Sequence, residues 1–186
     1  MPASADAVIL PVFKVPGTRQ AMISIQRFEE RDWPATWKIL EPVFRAGETY
    51  PCSTAISEEE AYYYWIEQPS ATYIATDNDI HVEGSYYIKP NQPGLGGHVC
   101  NCGYVVGENA RGRGIASEMC IHSQHEAVAQ GFRAMQYNLV VSTNESAVHL
   151  WNKQGFDIIG TLPGAFQHRR LGFVDAHVMY KQLVTP

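Results

Sequence analysis

The sequence predicts an α/β fold built on a mixed sheet. Three observations carry that reading. Runs of β-branched and aromatic residues alternate with stretches of helical apolar period, in the order β-α-α-β-β-β-α-β-α-β-β. The candidate helices open on capping residues and stop at glycines. The 186 residues are 45% apolar, 11% aromatic and 18% charged, enough for one packed core and too hydrophobic for a disordered chain.

Met1 to Gln20 contain Pro2, Pro11, Pro16 and Gly17 with no sustained period. They read as an N-terminal arm, residues 1–20, ahead of a domain spanning 21–186. Met22 to Ile25 is a short strand. Asp32 is a candidate N-cap with Pro34 in the first turn, and Trp33, Trp37, Leu40 and Phe44 form one apolar helical stripe. Pro42 predicts a kink or an early end, and Gly47 a stop. Ser57 and Glu60 form a capping box opening a second helix, which carries the aromatic run Tyr62-Tyr63-Tyr64-Trp65.

Thr72 to Thr76, Ile80 to Lys89 and His98 to Val106 read as an antiparallel meander, with Asp77-Asn78-Asp79 as a turn. Gly114 to Phe132 is a long helix. Ala116, Cys120 and Ala127 share a small-residue face there, and Ile121, Val128 and Phe132 a bulkier one. Ala134 to Val141 is a strand, and Asn144 to Gln154 a helix ended by Gly155. Phe156 to Thr161 and Phe173 to Leu183 are the last strands, around a loop from Leu162 to Gly172.

Charge and cysteine usage narrow the function. With 14 Lys+Arg against 19 Asp+Glu, the net charge is −5. That balance disfavours nucleic-acid binding, even with Arg111, Arg113, Arg169 and Arg170 counted. No apolar run approaches the roughly 20 residues of a membrane span, and no targeting pattern is present, so a soluble cytoplasmic protein is expected. Cys52, Cys100, Cys102 and Cys120 read as free thiols, because a chain of this size needs no covalent staples. His98, His122, His125, His149, His168 and His177 lack ligand spacing, so no metal is expected.

The chemistry-bearing segment is Gly107 to Ala116, which joins a strand to a helix. Gly112 and Gly114 let backbone approach a ligand, and the first N–H groups of the helix point outward beside the positive end of its dipole. Such a turn binds phosphate oxygens, and Arg111 and Arg113 add positive charge suited to a diphosphate. The segment is neither a P-loop nor a G-x-G-x-x-G turn.

Arg111-Gly112-Arg113-Gly114-Ile115-Ala116 fits R-x-x-G-x-[GA] and resembles the acetyl-CoA pyrophosphate signature of the GNAT acetyltransferase superfamily. Gly103-Tyr104-Val105-Val106 resembles the superfamily's fourth strand. Thr143 to Ala147 and Leu150 to Phe156 resemble its N-x-x-[SA]…L-[YW]-x-x-x-G-F helix. The resemblance covers about Met22 to Leu183. It implies a mostly antiparallel sheet of about seven strands, splayed in a V between the fourth and fifth, with about four flanking helices.

The same resemblance implies an N-acetyltransferase that moves an acetyl group from acetyl-CoA to an amine within a ternary complex. The pantetheine arm would pair with Tyr104 and Val106. The pyrophosphate would sit on Arg111, Gly112, Arg113, Gly114, Ile115 and Ala116, with Asn138, Asn144, Ala147 and Trp151 also on the cofactor side. Val105 would offer an N–H to the thioester carbonyl. His98 to Asn101, Tyr137 to Val140 and Thr143-Asn144 more narrowly resemble the fungal N-acetyltransferases that detoxify proline analogues such as azetidine-2-carboxylate, with Asn101 and Asn138 as the matching strand-borne asparagines.

A small-molecule amine acceptor, plausibly an amino or imino acid, would then lie among Glu48, Tyr50, Trp65 and Asn101. Glu48 is one candidate base; its alternative is a loop carboxylate capping nearby N–H groups. Trp151 stands where many superfamily members carry a tyrosine acid, which leaves Tyr137, Tyr104, water or the departing ammonium to supply the proton. A protein N-terminus or lysine is the alternative acceptor, and a non-catalytic acyl-CoA-binding module the alternative class. A homodimer is a further expectation, since dimers are common among such relatives.

Overall fold

The computed structural model describes residues 23–77 and 81–185, so the expected N-terminal arm lies outside the described residues. The strands are β1 Ile23–Arg27, β2 Ala71–Asp77, β3 His81–Pro90, β4 Val99–Val106, β5 Ala134–Val141, β6 Asp157–His168 and β7 Gly172–Gln182. The helices are α1 Trp33–Ala46, α2 Glu58–Tyr62, α3 Ile115–Ala129 and α4 Glu145–Lys153. One sheet runs in the order β1-β2-β3-β4-β5-β7-β6. Every neighbour is antiparallel except β4 and β5, which pair in parallel over Val99↔Ala134 and Cys100↔Met135.

Strand alternation sends successive side chains to opposite faces and builds two cores. On one face Tyr86, Cys102, Tyr137 and Met179 pack with Ile115, Met119 and Cys120 of α3 and Trp151 of α4. On the other, Tyr87 and Val105 pack with Leu40 and Phe44 of α1 and with Trp65. The meander expected through β2, β3 and β4 is present, and β2 is buried on both faces over residues 71–76.

Several local features differ from expectation, each for a physical reason. Asp32 precedes α1, but its carboxylate accepts the Glu29 N–H at 2.8 Å and caps the short 3₁₀ turn before the helix. Pro42 lacks an N–H, yet α1 continues to Ala46, because Leu40 and Phe44 are held in the core on either side of it. Gly47 ends α1 at φ 64°, a left-handed conformation that suits glycine. The Ser57 box forms as expected, but α2 passes at Tyr63 into a π-helical turn that buries Trp65.

α3 buries the face that carries Cys120 and Ala127. Its buried residues are Ile115, Met119, Cys120, Ser123 and Ala127, while Ile121 and Val128 are exposed. Gly84 on β3 makes room for the Met119 side chain, whose Cε would lie 2.9 Å from a Cβ at that position. The expected loop from Leu162 to Gly172 is mostly strand. β6 extends to His168 and pairs with β7, with the register slipping between Leu162 and Phe166.

Candidate active site

The β3–β4 ladder determines which backbone groups of β4 remain free. Gly107 N–H donates to the Glu83 carbonyl and Asn91 N–H to the Val99 carbonyl, both at 2.8 Å, and the register between them is unbroken. In an antiparallel ladder hydrogen-bonding residues alternate, so Asn101, Gly103 and Val105 turn their N–H and C=O groups toward β3. Those of Tyr104 and Val106 turn the other way, toward β5. Because β4 and β5 are paired only at Val99 and Cys100, these groups face an open gap. The Tyr104 N–H and the Val106 groups thus have the orientation that the expected pantetheine pairing needs, whereas the Tyr104 carbonyl is taken by Tyr50 and Val105 is corrected: its N–H belongs to the β3 ladder and is turned away from the gap. Its side chain only lines the cleft wall.

Asn101 sits where the two strands part. Its Nδ2 donates to the Gln136 carbonyl on β5 at 2.9 Å, and its Oδ1 accepts from the Tyr87 hydroxyl at 3.4 Å. Asn138 on β5 donates through Nδ2 to Asn91 Oδ1 at 2.7 Å and accepts from Gln136 Nε2 at 2.9 Å. Both asparagines line one cleft of about 900 Å³ that extends from the gap to the start of α3.

At the α3 end, Gly112 and Gly114 have φ 76° and 81°, and a Cβ at either would have no atom within 4 Å. Backbone conformation, not crowding, selects glycine here, and the open space is what a ligand would occupy. Ser117 and Glu118 donate to the Gly114 carbonyl, which leaves the Gly114, Ile115 and Ala116 N–H groups without intrahelical partners. Arg111, Ala116 and the unanticipated Ser117 line the cleft.

Arg113 does not. Its guanidinium bonds Asp77 at 2.9 Å and Glu83 at 3.3 Å, so it ties the turn to β2 and β3, and the expected diphosphate contact is corrected to a positioning one. Across the cleft, Asn144 Oδ1 caps α4 through the Ala147 N–H at 3.3 Å, and Ala147 and Trp151 form the wall.

The opposite end is aromatic. Tyr50 donates to the Tyr104 carbonyl at 2.9 Å, and Tyr64, Tyr87 and Lys89 complete the lining. Trp65 is corrected to a backing residue. It is fully buried behind Tyr50 and Tyr87, donates from Nε1 to Ser85 Oγ at 2.9 Å, and does not line the cleft. The β6–β7 tip is tied beside this end: Arg170 Nε bonds Glu48 at 2.8 Å, while Arg169 bonds the Gly47 and Arg45 carbonyls. His168, also in the lining, accepts the Arg170 and Leu171 N–H groups through Nδ1, which places the proton of the neutral ring on Nε2.

The model of the acetyltransferase (GNAT) family matches residues 33–156. The chain belongs to that family. A GCN5-related N-acetyltransferase from Kribbella flavida superimposes with TM-score 0.81 at 40% identity, over 86% of this chain and 97% of its own. The N-acetyltransferase aca1 of Schizosaccharomyces pombe (strain 972 / ATCC 24843) is 28% identical over 148 residues, 71% of each chain. A phosphinothricin acetyltransferase from Sinorhizobium meliloti, solved in complex with AcCoA, shares the fold at TM-score 0.76 and 18% identity, over 86% of this chain and 88% of its own.

As a GNAT acyltransferase, this chain has no tyrosine at the position of Trp151, whose ring instead lies 4.9 Å from that of Tyr104 and 5.0 Å from that of Tyr137. The two tyrosine hydroxyls are 3.1 Å apart, and Tyr104 also meets Ser123 Oγ at 2.7 Å. Burial raises the pKa of both tyrosines well above the usual value of 10. Giving a proton to a thiolate, an ordinary thiol having a pKa of about 8.5, is then uphill for either. Burial likewise pushes the Cys102 and Cys120 thiols up, which disfavours a cysteine nucleophile. Among the described residues no group of three His, Cys, Asp or Glu could hold a metal, and no helix is long and apolar enough to cross a membrane.

Proposed function

We propose that this GNAT protein transfers an acetyl group from acetyl-CoA directly to the amine of a small amino or imino acid. The observation that carries the reading is the tyrosine-lined end of the cleft, beside which the β6–β7 tip is tied to Glu48. Acetyl-CoA suits the remainder of the cleft: unpartnered amides at the head of α3 for a diphosphate, and the Tyr104 N–H and the strand-edge groups of Val106 for the amides of the pantetheine arm. When bound, the thioester supplies an activated acyl carbon and a thiol leaving group.

The residues of this chain then act mainly by positioning. Gly114, Ile115 and Ala116 hold the phosphates, with Arg111 beside them, and Arg113 fixes the turn through Asp77 and Glu83. Asn101 keeps β4 and β5 joined at the vertex, so that the gap has a constant width where donor and acceptor meet. Holding two reactants in one geometry supplies much of the rate gain in such a transfer. The acceptor attacks as the free amine, and the proton it releases passes to the departing thiolate, directly or through water.

Glu48 acts as a clasp for the hairpin tip through Arg170, not as a base. Glu48→Gln is expected to reduce kcat by less than about tenfold, whereas removing a general base costs about 10²–10⁴-fold. Steady-state kinetics across pH 6–9 check this.

The function itself is tested by thiol release with a panel of amino acids, imino acids, polyamines and peptides, with the products identified by mass spectrometry. Stoichiometric free thiol and N-acetyl amino or imino acid are expected. Turnover confined to peptides would favour a protein acceptor, and tight acetyl-CoA binding without turnover of any amine would favour a regulatory module.

A further inference from the structure

The aromatic end of the cleft holds two charged side chains of opposite sign, and they differ in one respect. Glu48 is matched by Arg170. Lys89 is matched by no carboxylate among the ion pairs of the described residues. It is half-buried near the end of β3, directly opposite Asn101 in the β3–β4 register, and so on the same face of the sheet. Its Nζ lies 5.3 Å from the ring centroids of both Tyr64 and Tyr87, and all three residues line the cleft. Desolvation lowers its pKa from the ordinary 10.5.

An ammonium partly withdrawn from water beside two aromatic rings is under-compensated, because ring contacts recover part of its hydration and an anion recovers more. Among the described residues that line the cleft the one carboxylate is that of Glu48, and Arg170 holds it. A polyamine would meet a cation there and find no free carboxylate, since the Glu48 carboxylate is engaged. An amino or imino acid brings the missing charge.

We propose that Lys89 anchors the carboxylate of the acceptor, and that this contact selects amines bearing a carboxylate over uncharged or cationic amines. The proposal rests on the small-molecule reading above. It adds a specificity-determining residue to that reading: the substrate's carboxylate bonds Lys89 Nζ beneath Tyr64 and Tyr87, while its amine points past Asn101 toward the gap between β4 and β5.

The test compares the amino or imino acid of the panel turned over fastest with its own carboxamide, each rate expressed per unprotonated amine, in the wild type, Lys89→Met and Lys89→Arg. The wild type is expected to favour the acid over the amide by about 30-fold or more in kcat/KM. Lys89→Met should lose about 30-fold or more on the acid, chiefly through KM, and reduce that preference to near unity. Lys89→Arg should restore part of it. Acetyl-CoA affinity by calorimetry monitors folding of the variants.

Equal losses on acid and amide would overturn the proposal in favour of a wall residue. A loss confined to kcat, with a displaced basic limb of the pH profile, would overturn it in favour of a proton acceptor. A wild type that acetylates small amines without preferring the acid would overturn this proposal and leave the small-molecule reading standing. A wild type that acetylates no small amine would overturn both.

Discussion

Gly114→Val is expected to lower acetyl-CoA affinity by at least about 100-fold. Gly114 caps α3 at φ 81°, and no neighbouring atom would obstruct a Cβ, so the damage comes from two other sources. A β-branched residue at that φ carries strain of order 1–3 kcal/mol, relieved by moving the turn. Moving the turn misaims the Gly114, Ile115 and Ala116 amides, and each hydrogen bond to a charged oxygen contributes about 1.5–3 kcal/mol. Losing two of them corresponds to two or more decades in affinity. Calorimetric titration measures it. Unchanged affinity would remove the diphosphate from this turn.

Trp65→Ala is expected to destabilise the fold by about 3–5 kcal/mol, the range for deleting a large buried aromatic. Trp65 is completely buried, with Phe44, Tyr50, Tyr64 and Tyr87 around it and its indole N–H on Ser85. Against a typical total of about 5–15 kcal/mol, that loss leaves little reserve. Trp65→Phe, which refills most of the volume, is expected to recover the greater part. The midpoint of urea unfolding reads both. A cost below about 1 kcal/mol for Trp65→Ala would mean that the residue does not back the aromatic wall.

Much of this was legible in the sequence, and the residues show where legibility stopped. The caps at Ser57 and Asn144, the stop at Gly47 and the turn at Gly112 and Gly114 are local devices, formed by a few consecutive residues whatever lies around them. Asn101 and Asn138 also stand out in the sequence, because asparagine inside a strand is disfavoured unless its amide has work there. What was not readable depends on distant partners. Arg113 faces Asp77 and Glu83, 36 and 30 residues away, and nothing in the turn itself distinguishes it from Arg111.

Trp65 and Lys89 exchange roles for the same reason. A π-helical turn directs the indole into the core, while β3 carries a lysine to the cleft that no motif marks. β6 was legible only as far as Thr161, because it is an edge strand exposed along most of its length and carries no burial alternation. Val105 required the ladder's parity, which a sequence does not state. Which face of α3 is buried also depends on the sheet: Ile115, Met119, Cys120, Ser123 and Ala127 turn inward, leaving Ile121 and Val128 outside.

The central claim is that acetyl-CoA lies in the gap between β4 and β5 with its diphosphate on the head of α3. Residue-resolved amide hydrogen exchange, with and without acetyl-CoA, tests it most directly. The account predicts that the Tyr104, Val106, Ile115 and Ala116 amides become protected on binding, while those of Gly103 and Val105, already held by β3, change little. Protection that spared Tyr104 and Val106, or that appeared on another face of the sheet, would contradict it.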